Sequence, residues 1–136
     1  MTEEDVFKKQ MIRIGLIGGM ASGKSFIAKL FGFPVFNADK EVKSIYKTDK
    51  ACFNGLKKRL PKYISSFPIR KSELIKAIAS NKKNLNKVSS VVHPIVRRRM
   101  RNFLRKKKNF KMVILDIPLL IENKLNRKDD VLIYVN

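Results

Sequence analysis

Cysteine and histidine are scarce in this 136-residue sequence, which contains one of each, Cys52 and His93. A single cysteine excludes an internal disulfide, and no His/Cys spacing typical of a metal site occurs. No apolar run approaches the roughly 18 residues needed to span a bilayer, and the acidic residues 2–5 are unlike a signal peptide. We therefore expect a cytoplasmic protein with no membrane partner.

Acidic residues are also few, with 11 Asp and Glu against 31 Lys and Arg, so the net charge is +20. Such a charge favours anionic partners, including phosphates and nucleic acids. Lysine is spread over the whole chain, however, which equally fits a solvated surface. The length and the 44% hydrophobic content predict one soluble domain with a single core, either alone or with a small appendage.

The order of apolar runs predicts strands that alternate with helices. Residues 1–10 are polar and are interpreted as a mobile extension, and the pattern from Lys47 to Lys111 is helical, basic and interrupted by Pro61 and Pro68. Helical crossovers between strands indicate a parallel sheet with helices on both faces and ligands at the carboxyl ends of the strands. Strands are predicted at 12–17, 35–37, 112–116 and 131–135, with helices between the first two strands and from Ala38 through Tyr46.

A glycine-rich loop follows the first predicted strand. Residues 18–25, GGMASGKS, match the G-x-x-x-x-G-K-[ST] pattern, in which backbone N–H groups surround a phosphate. Lys24 would then reach the β- and γ-phosphates of ATP, and the Ser25 hydroxyl would ligate Mg²⁺. A glycine-rich turn that matches by chance is the alternative, but the strand before it and the helix after it favour a nucleotide site.

Two aspartates follow predicted strands. Asp39 comes just after the second strand, where it fits either a proton acceptor facing the γ-phosphate or an N-cap for a helix starting near Lys40, a role that Asn37 also fits. Asp116 ends an apolar strand and fits either an acid that holds Mg²⁺ or the cap of a turn. The turn cap is the weaker explanation for Asp116, because a carboxylate that ends a buried strand beside a phosphate loop needs a cation or a hydrogen-bond donor to offset its desolvation.

The sequence gives little support to a GTPase or to a nucleic-acid-binding protein. A GTPase requires an Asn-Lys-x-Asp guanine reader and an Asp-x-x-Gly switch, and neither occurs; residues 126–129, NRKD, are a near miss. The basic run from Arg97 to Lys111 contains only Phe103 and Phe110 as aromatics, so a solvated helix face is preferred and no nucleic-acid partner is expected.

The lone histidine precedes a proline, which predicts a helix starting at Pro94 with His93 as its cap or bonded to a strand end. Contact with a phosphorylated substrate is the functional alternative for His93.

Four segments, in order Gly15–Ser25, Val35–Asp39, Val92–Val96 and Asp116–Glu122, together resemble dephospho-CoA kinase. The resemblance implies a three-layer α/β P-loop kinase fold that transfers the ATP γ-phosphate to the ribose 3′-hydroxyl of dephospho-CoA, the last step of coenzyme A biosynthesis. It implies an incomplete kinase domain over 11–136, with a nucleotide-binding core at 11–46 and 112–136 and a substrate-binding helical part at about 47–111. The implied site residues are the catalytic Asp39 and Lys24, His93 for substrate, Ser25 and Asp116 for Mg²⁺, and, for ATP, Gly19, Met20, Ala21, Ser22, Gly23, Lys24, Ser25 and Phe26.

The sequence departs from the family pattern in two respects. Ile17, Ala21, Phe26 and Asn37 stand where the family usually has Thr, Gly, Thr and Asp. The lid helix and the last strand that follow residues 131–135 in the family are missing, so we expect weak nucleotide binding and little phosphoryl transfer from 1–136 alone, and a sheet edge that allows oligomerisation. The alternatives are a remnant that binds nucleotide without turnover and a basic nucleic-acid-binding module.

Overall fold

The structure, a computed structural model, describes residues 12–17, 30, 32–117 and 131–134. The four predicted strands are confirmed, whereas the predicted extension at 1–10 and the predicted phosphate loop lie outside the described residues. In chain order the elements are β1 (Ile12–Ile17), β2 (Val35–Asn37), α1 (Ala38–Thr48), α2 (Lys50–Arg59), α3 (Lys71–Ser80), α4 (Lys83–Lys106), β3 (Met112–Asp116) and β4 (Val131–Tyr134).

The four strands form one sheet in the order β2-β3-β1-β4, with every pair parallel, as predicted. In β3, Val113, Ile114 and Leu115 are all fully buried although successive side chains point to opposite faces. Both faces of this strand are therefore covered, which explains why the sequence of β3 is a continuous apolar run rather than an alternating one. Ile14 of β1 and Ile114 pack together in the core of the sheet.

Contacts within the chain divide it into two compact units. The helical unit is Lys40–Arg99, and the sheet unit contains the described residues outside that range, including all four strands. The functional division predicted from the sequence, with a substrate part at about 47–111, stays a prediction. None of the described helices has the length and apolarity needed to cross a membrane.

The helical unit has its own apolar core, and α2 is positioned in it by an N-cap and by a close contact with α4. Asp49 is the N-cap of α2, since its Oδ1 accepts a hydrogen bond of 2.8 Å from the backbone N–H of Cys52. Gly55 lets α2 approach α4 closely, because a Cβ at this position would lie 3.0 Å from Cγ1 of Val91. The buried apolar residues of the unit include Ile45, Cys52, Leu56, Leu60, Ile64, Leu74, Ala77, Val88, Val92 and Ile95.

The prediction that a helix begins at Pro94 is wrong, because Pro94 lies inside α4. Proline removes the N–H that would bond the carbonyl of Ser90, which costs about 3 kcal/mol in a helix interior. Buried residues flank it on both sides, with Val92 before and Ile95 after. Each buried aliphatic side chain contributes about 1.5–3 kcal/mol, so packing of one continuous helix outweighs the cost of the proline, and His93 is not a helix cap.

We predict that Leu56→Ala lowers the free energy of unfolding by about 2–5 kcal/mol, because it leaves a cavity in a fully packed core. Leu56 is 0% exposed, whereas Ile75 is 57% exposed on α3 of the same unit. Ile75→Ala is therefore the matched control and should change stability by at most about 0.5 kcal/mol. Urea unfolding followed by circular dichroism measures both changes; equal losses in the two variants would contradict the assigned core.

Candidate functional site

The carboxyl ends of three strands lie side by side at one edge of the sheet. Asp116, the last residue of β3, is in register with Leu16 of β1 and with Asn37 of β2. Its side chain is 1% exposed, and its Oδ2 accepts a hydrogen bond of 3.0 Å from Nδ2 of Asn37. A buried carboxylate is thereby held at the place where the sequence predicts a nucleotide site.

This edge is also where the strand order reverses. From β1 the chain continues to β2, which lies beyond β3, whereas from β3 it continues to β4, which lies beyond β1. The connections thus leave the neighbouring strands β1 and β3 in opposite directions along the sheet. Such a position is called a switch point, and ligands of open parallel sheets bind there. Gly18, the first residue of the predicted phosphate loop, follows the end of β1 directly in the sequence.

Asp39 follows the carboxyl end of β2 with no intervening loop. Helix α1 begins at Ala38, so Asp39 is its second residue and lies in the first turn, not in front of the helix as an N-cap would. A carboxylate in a first turn is stabilised by the positive end of the helix dipole. Asp39 is exposed, unlike Asp116, and the two follow neighbouring strands at one edge of the sheet.

His93 lies in α4 within the helical unit and is partly buried. Its pKa is lowered below the usual 6.5, first by burial and second by the charge of Arg97 one turn along the helix. The imidazole is therefore mainly neutral at pH 7, where it offers one hydrogen-bond donor and one acceptor but no positive charge.

A polar cluster around Arg99 was not predicted from the sequence. Nη1 of Arg99 lies 3.2 Å from Oε2 of Glu41 and donates to Oγ of Ser44 at 3.3 Å, while Nη2 lies 3.8 Å from Oδ2 of Asp49. This arginine therefore joins α4 to α1 and to the cap of α2, although it belongs to the run interpreted as a solvated face. The i, i+3 spacing of Glu41 and Ser44 was the available signal, since it places both on one side of α1.

Cys52 lies beside this cluster as a buried, unreactive thiol. Burial, followed by the negative charge of Asp49, raises its pKa to about 11 against the opposing effect of Arg99. Burial likewise raises the pKa of Tyr46 to about 12. Neither group is ionised near neutral pH, so neither is a candidate nucleophile or base.

A profile of the dephospho-CoA kinase family matches residues 12–136 of the sequence. The chain belongs to this family. Among curated relatives named dephospho-CoA kinase, that of Wolbachia pipientis wMel is 34% identical over 90% of this chain, and that of Bartonella quintana is 31% identical over the same share. The chain spans 66% and 65% of the lengths of these two relatives.

A solved structure extends the likeness to the fold. TT1252 from Thermus thermophilus superposes with a TM-score of 0.77 at 28% identity, covering 93% of this chain and 66% of that one. The parallel sheet and the dephospho-CoA kinase membership together bear out the expected P-loop kinase fold. The match includes the segments that hold Asp39, His93 and Asp116, but the roles of these residues stay predictions.

Oxygen ligands are what Mg²⁺ prefers, and Asp116 supplies a carboxylate at the switch point. The donor chemistry therefore fits, with Ser25 as the predicted second ligand outside the described residues. In the part of the chain that the structure describes, no group of three or more His, Cys, Asp or Glu residues is arranged to hold a metal by itself. A magnesium ion at this edge would depend on phosphate oxygens and water for the rest of its coordination.

We predict that Arg97→Gln raises the pKa of His93 part of the way back towards 6.5, because burial, the larger cause, is retained. The signal of the only histidine in an NMR pH titration measures this directly. Since the unfolded chain takes up this proton at higher pH than the folded chain, the associated stability is present above about pH 6.5 and is lost as the pH falls towards the folded pKa. Arg98→Gln removes a neighbouring charge as the control and should leave the titration unchanged; equal shifts in both variants would contradict the assignment.

Proposed function

We propose that this chain carries out the phosphorylation step of its family, in which the γ-phosphate of ATP is transferred to the ribose 3′-hydroxyl of dephospho-CoA to give CoA and ADP. The observation that carries the proposal is the register of Asp116 with both Leu16 and Asn37. It brings the carboxylate at the end of β3 beside the strand that leads into Gly18–Ser25, at the switch point of the sheet.

Asp39 is proposed as the proton acceptor. Its carboxylate is exposed at the start of α1, directly after a strand end, so an acceptor hydroxyl can approach it from solvent. As the hydroxyl oxygen forms its bond to the γ-phosphorus, its proton passes to Asp39 and the bond to the β–γ bridging oxygen breaks. The alternative role as an N-cap is weaker, because the helix already includes Asp39.

The phosphates of ATP are proposed to lie in the loop of residues 18–25, with Phe26 at its end. Backbone N–H groups of the loop and the ammonium of Lys24 would bind the β- and γ-phosphates. Ser25 and Asp116 would hold Mg²⁺, which neutralises negative charge on the transferring phosphoryl group when bound.

His93 is proposed to contact the dephospho-CoA. With a lowered pKa it acts as a neutral hydrogen-bonding group at pH 7, so it would orient a hydroxyl or phosphate oxygen without adding charge. We propose that these reactants are cytoplasmic and that nucleic acid is not a partner.

The function is tested by incubating the purified chain with MgATP and dephospho-CoA and separating CoA by chromatography, alongside calorimetric binding of each substrate. We expect saturable binding of dephospho-CoA, with little CoA formation from residues 1–136 alone and none when either substrate is omitted. Absence of both turnover and dephospho-CoA binding would contradict the proposal, whereas binding of RNA with strong salt dependence would support the nucleic-acid alternative instead.

For the phosphate loop, we predict that Lys24→Ala weakens MgATP binding by about 10- to 150-fold, since one charge-assisted hydrogen bond to phosphate contributes about 1.5–3 kcal/mol. Isothermal calorimetry measures the dissociation constant. Lys111→Ala removes an exposed lysine as the control and should change it less than twofold. Unchanged affinity in folded Lys24→Ala protein would remove the loop assignment.

For the proton acceptor, we predict that Asp39→Asn, in a protein that joins this chain to the C-terminal third of a family relative, reduces CoA formation at least about 100-fold. The dissociation constant for MgATP should stay within about twofold, because an amide of the same size cannot accept the proton. Lys43→Gln, an exposed charge change on the same helix, controls for the integrity of α1. Turnover near that of the protein without the substitution would contradict the proton-acceptor role and indicate that Asp39 is structural.

A further inference from the structure

A polar cavity of about 410 Å³ lies within the helical unit, where the ends of α2 and α3 meet the start of α4. Its volume is in the range of small-molecule sites. Of its nine lining residues none is acidic and three are cationic, namely Arg59, Lys62 and Lys87. None of the nine has a role in the proposed phosphoryl transfer.

Neutral polar groups of the lining are held in fixed orientations. The hydroxyls of Tyr63 and Ser80 are 2.6 Å apart, and Ser80 Oγ donates to the carbonyl of Ala77 at 2.9 Å. Asn84, only 6% exposed, donates from Nδ2 to the same carbonyl at 2.7 Å. These bonds also satisfy a carbonyl in the last turn of α3, so this wall is built by the fold and does not depend on a ligand.

The three cations are exposed. The described part of the chain contains no ion pair that involves Arg59, Lys62 or Lys87. Arg59 donates from Nη1 to Ser90 Oγ, which orients the guanidinium while its other N–H groups stay available as donors.

The start of α4 adds positive potential to the same place. Its first turn contains no acidic residue, and Lys83 and Lys87 form a like-charge i, i+4 pair at the positive end of the helix dipole. Asn81 lines the cavity and caps the helix by accepting the Lys83 N–H at 2.9 Å. Positive charge is therefore concentrated at the end of α4 that favours negative charge, and a bound anion would neutralise it.

We propose that this cavity binds a small phosphate-bearing anion through Arg59, Lys62 and Lys87. A phosphate group carries up to two negative charges and presents three acceptor oxygens, so it matches three cations better than a carboxylate does. The guanidinium of Arg59 suits phosphate oxygens through its planar pair of N–H donors.

Inorganic diphosphate is the probe, and the Lys24→Ala variant is the background, so that binding at the predicted ATP loop does not contribute. Calorimetry should detect saturable binding that the double variant Lys62→Gln with Lys87→Gln weakens about tenfold or more. The pair Lys47→Gln with Lys71→Gln removes two exposed lysines of the same unit outside the cavity and should change affinity less than threefold. Equal weakening by both pairs would overturn the proposal, because the effect would then follow total charge.

A second measurement locates the site. Side-chain amide signals of Asn81 and Asn84 should shift on titration of ¹⁵N-labelled protein with diphosphate, and sulfate at equal ionic strength should not reproduce the shift. Shifts with diphosphate alone identify a free inorganic anion, and shifts with ADP as well identify a phosphate ester. Unchanged amide signals at saturating diphosphate, or the same shifts with sulfate, would overturn the proposal.

Discussion

The parallel pairing of β1 with β3 is the interaction on which the rest of the site depends. It sets Leu16 opposite Asp116, and the pairing of β2 with β3 sets Asn37 opposite the same residue. A shift of one residue in β3 would turn its alternate side chains to the other face and remove Asp116 from the switch point. Full burial of Val113, Ile114 and Leu115 opposes such a shift, so the core that stabilises the sheet also fixes the register of the proposed metal-binding carboxylate.

The strands and their parallel arrangement could be predicted from the sequence, because buried strands such as β3 are short β-branched runs bounded by polar residues or turns. The position of Asp39 and Asp116 at one edge of the sheet could be predicted in the same way, since the carboxyl ends of parallel strands meet at one edge. Family membership followed from the order of four short segments. Each of these predictions uses either a short stretch of sequence or the order of segments along the chain. None of them requires knowing which helices pack together.

What could not be predicted depends on packing between distant residues. Pro94 signals a helix start when only its neighbours are considered, but burial of Val92 and Ile95 keeps α4 continuous through it. Arg99 looks like one more solvated cation, but it contacts Glu41, 58 positions earlier. The basic cavity likewise combines residues from three helix ends that no sequence period relates.

Asn37 illustrates how one departure from the family pattern changes the electrostatics of the site. An aspartate, which the family resemblance implies as the usual residue at this position, would place two carboxylates in directly paired positions of β2 and β3, and like charges at that spacing oppose ionisation of both. The amide removes this repulsion and donates a hydrogen bond to Asp116 in its place. Asp39, two residues further along and exposed, then supplies the second carboxylate of the edge in a different environment. The edge thus carries one buried, hydrogen-bonded carboxylate and one solvated carboxylate, and this difference in environment is what the two proposed roles, metal binding and proton acceptance, require.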